Sequence, residues 1–223
     1  MVIGMVLFPN LTQLDLTGPH EVFGRLPGIK VLLIAESIEP VKSDSGLWLT
    51  PNTTFENSPQ VDLLFVPGGR GIFDAMQNKK LIGFLQKQAV NAKYITSVCT
   101  GSLVLAAAGL LNGYKATTHW LSLRLLKLFG IEVIEERVVI DRNRITGGGV
   151  TAGIDFGLFV TAKVFGEETA KEVQLMMEYD PAPPFNSGSP KTADAQIVER
   201  LINDRKEIQD QREQLIKKLF CDS

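Results

Sequence analysis

Four short apolar runs recur along the first half of the chain: VIGMVLF at residues 2–8, KVLLIAE at 30–36, VDLLFV at 61–66 and KYITSV at 93–98. Runs of this length, rich in Val and Ile and broken by turn formers, predict buried strands. Between the third and fourth, Phe73, Met76, Leu81, Phe84 and Leu85 recur at helical spacing. Strand and helix therefore alternate, which predicts a mostly parallel sheet covered on both faces.

The rest of the pattern is more mixed. SDSGLWLTPNTTF (43–55) alternates apolar residues with turn formers and predicts a small β excursion. After KATTHW (115–120), LSLRLLKLFG (121–130) reads as a helix, and Asp141-Arg142-Asn143 as a turn between two strands. VTAGIDFGLFVTAKVFG (150–166) predicts a helix that is apolar nearly all round and hence buried, and EETAKEVQLMMEY (167–179) a second helix. DPAPPFNSGSP (180–190) must be irregular, with Ser189 and Pro190 placed to start a last helix as N-cap and first-turn proline. In that helix Leu201, Ile208 and Leu215 fall seven apart, but Asp204 and Gln211 are polar. This favours a helix laid along the protein or a dimer partner over a coiled coil. Residues 1–190 thus read as one α/β domain and 191–223 as a C-terminal helix.

Composition narrows the partner. The chain has 223 residues and a net charge of −2, with no basic cluster. Neither a nucleic acid nor an anionic membrane surface fits, since both need Lys and Arg gathered on one face. A small molecule is the expected partner. Only Cys99 and Cys221 are present, which argues against a disulfide framework and for a cytoplasmic location. The run at 2–8 lacks a basic leader and stops at Pro9, so it does not read as a targeting segment.

Chemistry concentrates at TSVCTG (96–101), where a strand-like run gives way to a helix-like one. A residue at such a corner is held in a tight turn and presented at the carboxyl edge of the sheet. The following helix should turn its N–H groups and dipole toward the Cys99 sulfur and favour thiolate. VPGGRG (66–71) follows a buried strand, and its glycines permit close main-chain approach, making the N–H groups of Gly69 and Arg70 candidate donors for developing negative charge. Asp15, between Leu14 and Leu16, reads as a partly buried acid-base group or as a cap for a helix starting at Thr17-Gly18-Pro19. His119 is a candidate to orient thiolate or substrate, and His20 a weaker one. TGGGVTAGID (146–155), a second glycine-rich strand-to-helix junction, reads as helix-on-strand packing, with close approach of a ligand as the lesser alternative. The two histidines and two cysteines have no zinc spacing, so no metal is expected.

DLTGPHEVF, FVPGGRG, TSVCTGSLVLAAAGLLNGYKATTHW, TGGGVTAGID and EYDPAPPFNSGSP together resemble the ThiJ/PfpI superfamily and, within it, the isocyanide hydratase branch. The resemblance spans residues 1 to about 190. It implies a flavodoxin-like α/β sandwich of the class I glutamine amidotransferase type, a homodimer, and hydration of an isocyanide to an N-formamide without metal or organic cofactor. It places the nucleophile on Cys99, its following threonine on Thr100, the acidic partner on Asp15, and the oxyanion loop on Gly68, Gly69 and Arg70. PAPPF (181–185) and LMMEY (175–179) are candidate pocket walls. Thr100 stands where protease-like relatives carry histidine, and Asp15 where the deglycase and glyoxalase branch carries glutamate. The competing reading is a ligand sensor, because similar segments occur in the N-terminal domains of AraC-type regulators.

Overall fold

The computed structural model describes residues 1–221, and the side chains of residues 1–219. In chain order the strands are β1 (Val2–Val6), β2 (Lys30–Ala35), β3 (Val41–Lys42), β4 (Trp48–Leu49), β5 (Thr53–Thr54), β6 (Leu63–Val66), β7 (Tyr94–Val98), β8 (Lys115–Ala116), β9 (Glu132–Val133), β10 (Val138–Asp141) and β11 (Arg144–Gly147). The helices are α1 (Gln13–Phe23), α2 (Ile72–Gln77), α3 (Lys79–Ala89), α4 (Gly101–Ala107), α5 (Leu123–Leu128), α6 (Ala152–Phe165), α7 (Glu167–Met176) and α8 (Ala195–Cys221). Among the described residues seven strands make the main sheet, in the order β10-β11-β7-β6-β1-β2-β5. All its pairings are parallel except β10 with β11, which meet at the turn expected around Arg142. This is the mostly parallel, helix-flanked α/β architecture that the alternating pattern predicts.

The sheet centre is buried on both faces because its strands carry mostly apolar side chains, with Thr96 and Ser97 of β7 the buried polar exceptions. All four residues of β6 are buried, as are four of the five in β1 and in β7. On α3, Leu81, Phe84 and Leu85 make the buried stripe, while the Asn78 side chain accepts from the N–H groups of Lys80 and Leu81 and starts the helix. Phe55 stacks on Phe84 with ring centroids 4.7 Å apart, tying the β excursion of residues 43–55 to the body.

Three expectations need correction. The helix at 150–166 is buried on one side only: Gly153 and Gly157 face α1, where a Cβ on Gly157 would stand 2.9 Å from Val22 Cβ, while Phe159 is exposed. The last helix starts at Asp194, whose Oδ1 accepts from Gln196 N–H at 2.7 Å; Ser189 and Pro190 instead belong to a separate turn closed by Thr192 and Ala193 N–H on the Ser189 carbonyl. Helix α1 starts at Gln13 and carries Pro19 inside it, so Asp15 lies in the first turn and caps nothing at Thr17.

α8 lies along the body at its C-terminal half, where Leu215 and Ile216 join the core, and leaves Ile197 and Ile202 exposed at its N-terminal half. The Cys221 side chain lies outside the described residues.

Candidate active site

Cys99 sits between β7 and α4 with φ of +52°, a left-handed conformation that costs a non-glycine residue about 1–3 kcal/mol and persists only when its surroundings enforce it. Its N–H donates to the carbonyls of Gly147 (3.0 Å) and Gly148 (2.9 Å). Its carbonyl accepts from Thr118 Oγ1 at 2.9 Å and Ser102 Oγ at 3.2 Å. The corner is also crowded. A Cβ at Gly101 would fall 2.2 Å from the Val66 carbonyl oxygen, and one at Gly68 would fall 2.5 Å from Thr100 N and 2.8 Å from Cys99 Cβ. The glycines of CTG and PGG are therefore needed to let two loops touch.

Asp15 is fully buried. Its Oδ2 accepts from Gly68 N–H at 3.1 Å, and its Oδ1 has no partner of ordinary hydrogen-bond geometry. Burial pushes its pKa up to about 7, against the Cys99 thiol and the Gly68 and Val150 N–H groups, which favour the carboxylate. Burial is also the main force on Cys99, and the Asp15 carboxyl adds to it, holding the thiol well above its ordinary range. The N–H groups of Thr100 and Val150 act on the sulfur in the opposite sense. The expected thiolate is thus overturned: α4 has only seven residues and its amides cannot offset removal of the sulfur from water.

The glycine-rich loop divides its donors. Gly69, at φ +141°, donates its N–H to Thr100 Oγ1 at 3.1 Å. Arg70 N–H has no hydrogen-bond partner among the described residues, and Arg70 lines the cavity above Cys99. That cavity measures about 360 Å³ and holds Cys99, Thr100, Gly69, Arg70, His119 and Val150 in its wall. Burial pulls the His119 pKa down to about 4, helped by Arg212 and Arg205, and its Nδ1 accepts from Leu121 N–H at 3.3 Å. His119 is therefore neutral. His20, in the last turn of α1, is not in the cavity wall. A neighbouring hollow of about 440 Å³ shares His119, Trp120 and Val150 but does not contain Cys99, so the chemistry lies in the smaller one, with Asp15 buried behind the thiol rather than in the wall. Among the described residues no group of three His, Cys, Asp or Glu side chains offers a metal site.

The outer wall is α8, through Leu201, Arg205, Ile208, Gln209 and Arg212. PAPPF and LMMEY do not line this cavity; Phe185 is exposed at 78% and Leu175 at 82%. The spacing of Arg205, Gln209 and Arg212, one helical face shared with Leu201 and Ile208, was the available signal for this wall. Val150 also reaches the site, at φ +44°, from the glycine-rich junction at 146–155, where ligand approach is the lesser of the two readings of the sequence.

The profile of the DJ-1/PfpI family matches residues 1–163. The chain belongs to the DJ-1/PfpI family. It is 51% identical to the isonitrile hydratase of Pseudomonas putida over 197 residues, covering 88% of this chain and 86% of that protein. It is 33% identical to the HTH-type transcriptional regulator GbdR of Pseudomonas aeruginosa over 80% of this chain, but over only 50% of the regulator. Among solved structures, a ThiJ/PfpI family protein from Pseudomonas syringae superposes with a TM-score of 0.94 at 47% identity, over 96% of this chain and 90% of that one. Drosophila melanogaster DJ-1beta superposes at 0.73 with 24% identity and shares the fold. The matched region takes in every described strand and the Cys99 corner, whereas α8 lies beyond it.

Proposed function

We propose that this protein is an isonitrile hydratase, adding water to an isocyanide to give an N-substituted formamide with Cys99 as nucleophile. The observation that carries this reading is a buried thiol on a strained corner, paired with a buried carboxyl of pKa about 7 and lining a cavity of small-molecule size. Likeness to the Pseudomonas putida isonitrile hydratase over most of both chains supports it.

The protons fall out in order. The Asp15 carboxylate takes the thiol proton as the sulfur bonds to the terminal isocyanide carbon. It returns that proton to the same carbon, leaving a thioimidate, R–N=CH–S–Cys99. Water then adds to the thioimidate carbon, the C–S bond breaks, and the nitrogen takes a proton, releasing R–NH–CHO and the thiol. Covalent capture divides one difficult hydration into two easier additions. A thiol kept protonated until a base is engaged is spared idle oxidation. Thr100 N–H and Arg70 N–H are placed to meet negative charge developing on substrate, Gly68 and Thr100 hold the loop that places them, and neutral His119 lines the substrate's path. No metal or organic cofactor is required by this sequence of steps.

In this reading residues 1–190 are the catalytic unit, and α8 in the segment that follows completes its cavity. The chain acts as a cytoplasmic homodimer; Phe159 on α6 and Leu175 and Met176 on α7 are exposed apolar side chains that a subunit contact would cover. No helix among the described residues is long and apolar enough to cross a membrane. GbdR has about as much chain again beyond the matched part, and the Cys99–Asp15 pair favours an enzyme over a sensor.

The test is incubation of the purified protein with phenyl isocyanide, following N-phenylformamide directly beside Cys99→Ala. Formamide from the parent and none from the variant is expected; equal turnover by the variant would refute a Cys99 thioimidate.

A further inference from the structure

The cavity wall is far more cationic than the chain. Arg70, Arg205 and Arg212 line it against one carboxylate, Asp44, in a protein of net charge −2. Asp44 Oδ2 already accepts from Thr12 Oγ1 at 2.6 Å, and among the described residues none of the three arginines forms an ion pair. Arg212 is 6% exposed; one Nη2 contact reaches the Gly69 carbonyl at 3.2 Å, and its Nε is buried with no partner. A buried guanidinium with an unused donor is costly unless something completes it.

Position along α8 gives the cavity its depth. Arg205, Gln209 and Arg212 share a face, and burial increases from exposed Arg205 at the mouth to Gln209 and Arg212 inside. Two helical turns, about 10 Å, separate the two arginines along the axis. Arg212 shares the cavity wall with Cys99 and is the buried one of the two arginines, Arg205 the exposed one. An isocyano group is uncharged overall and gives none of these cations a counter-charge.

Resting on the hydratase reading above, we infer that the isocyanide taken by this cavity carries a carboxylate, held between Arg205 and Arg212 while its isocyano carbon meets Cys99. The guanidinium fork matches a carboxylate in two parallel hydrogen bonds, which gives orientation as well as attraction. Leu201 and Ile208 line the remaining wall with apolar surface for a short carbon spacer.

The experiment compares isocyanoacetate with ethyl isocyanoacetate in the full-length protein, and separately measures calorimetric binding of N-formylglycine against N-formylglycinamide. The acid should exceed the ester in kcat/KM by roughly tenfold or more, and N-formylglycine should bind more tightly than the amide by a similar factor that shrinks with added salt. Arg205→Met should lower both ratios several-fold, with Arg212 holding what remains, and Arg205→Lys should restore part of each. An ester turned over as well as the acid, or an amide bound as well as the acid, overturns the carboxylate assignment and leaves the hydratase standing. If neither compound is hydrated while phenyl isocyanide is, the carboxylate assignment fails alone; if phenyl isocyanide is not hydrated either, the hydratase reading fails, and the binding ratio still decides whether the cavity selects an anion.

Discussion

Asp15 makes Cys99 harder to ionise, whereas the Cys99 thiol makes Asp15 easier to ionise. Burial is the larger influence on each, and the pair therefore rests with its proton on sulfur and its acid-base group poised near neutrality. In a site of this kind the base creates the nucleophile only when substrate is in place.

The rate should report that base. With Asp15 required as carboxylate, kcat/KM for a neutral isocyanide should fall as pH drops below about 7. Asp15→Asn should lower kcat by ~10²–10⁴ and abolish the inflection. A pH-rate profile for both proteins on phenyl isocyanide checks this.

Stability should move the other way. Below pH 3.8 Asp15 is protonated whether the chain is folded or not; between 3.8 and about 7 the unfolded chain releases the proton first, so rising pH weakens the fold. At ~1.4 kcal/mol per pKa unit the cost reaches ~4 kcal/mol above neutrality. Asn carries no such charge, so Asp15→Asn should be the more stable protein at pH 8, with the difference shrinking toward pH 4. Urea unfolding at the two pH values reads the difference.

Gly68→Ala should disturb the corner directly, since the new methyl would meet Thr100 N at 2.5 Å and Cys99 Cβ at 2.8 Å. Overpacking of this kind costs about 1–3 kcal/mol. Formamide production should drop more than stability, because the displaced atoms carry the thiol.

Ile216→Ala tests the seat of α8. Ile216 is fully buried, and its truncation should cost about 2–5 kcal/mol by thermal or urea unfolding. A change within error would mean that α8 is not docked as described.

Much of this was legible in the residues. The Val- and Ile-rich runs gave β1, β2, β6 and β7 almost to the residue because fully buried parallel strands need apolar side chains on both faces. Cys99, Asp15 and the PGG loop converge because a strand-to-helix corner and a first-turn carboxyl both lie at the carboxyl edge of the sheet. The ionisation state of Cys99 was not legible, since spacing shows a helix start but not how far the sulfur is withdrawn from water. Nor was the α8 wall: Arg205 and Arg212 look like solvated charges until the fold brings Gly69 under one of them. Apolar α6 misled for a related reason, because Phe159 points away from the face that Gly153 and Gly157 press against α1.

The α8 wall also ties enclosure to folding. Arg212 walls the cavity beside Cys99, while Leu215 and Ile216, one turn further along the same helix, belong to the core. Whatever loosens that helix from the body therefore opens the chamber as well, so a fully closed cavity and a fully packed core are the same state of the molecule.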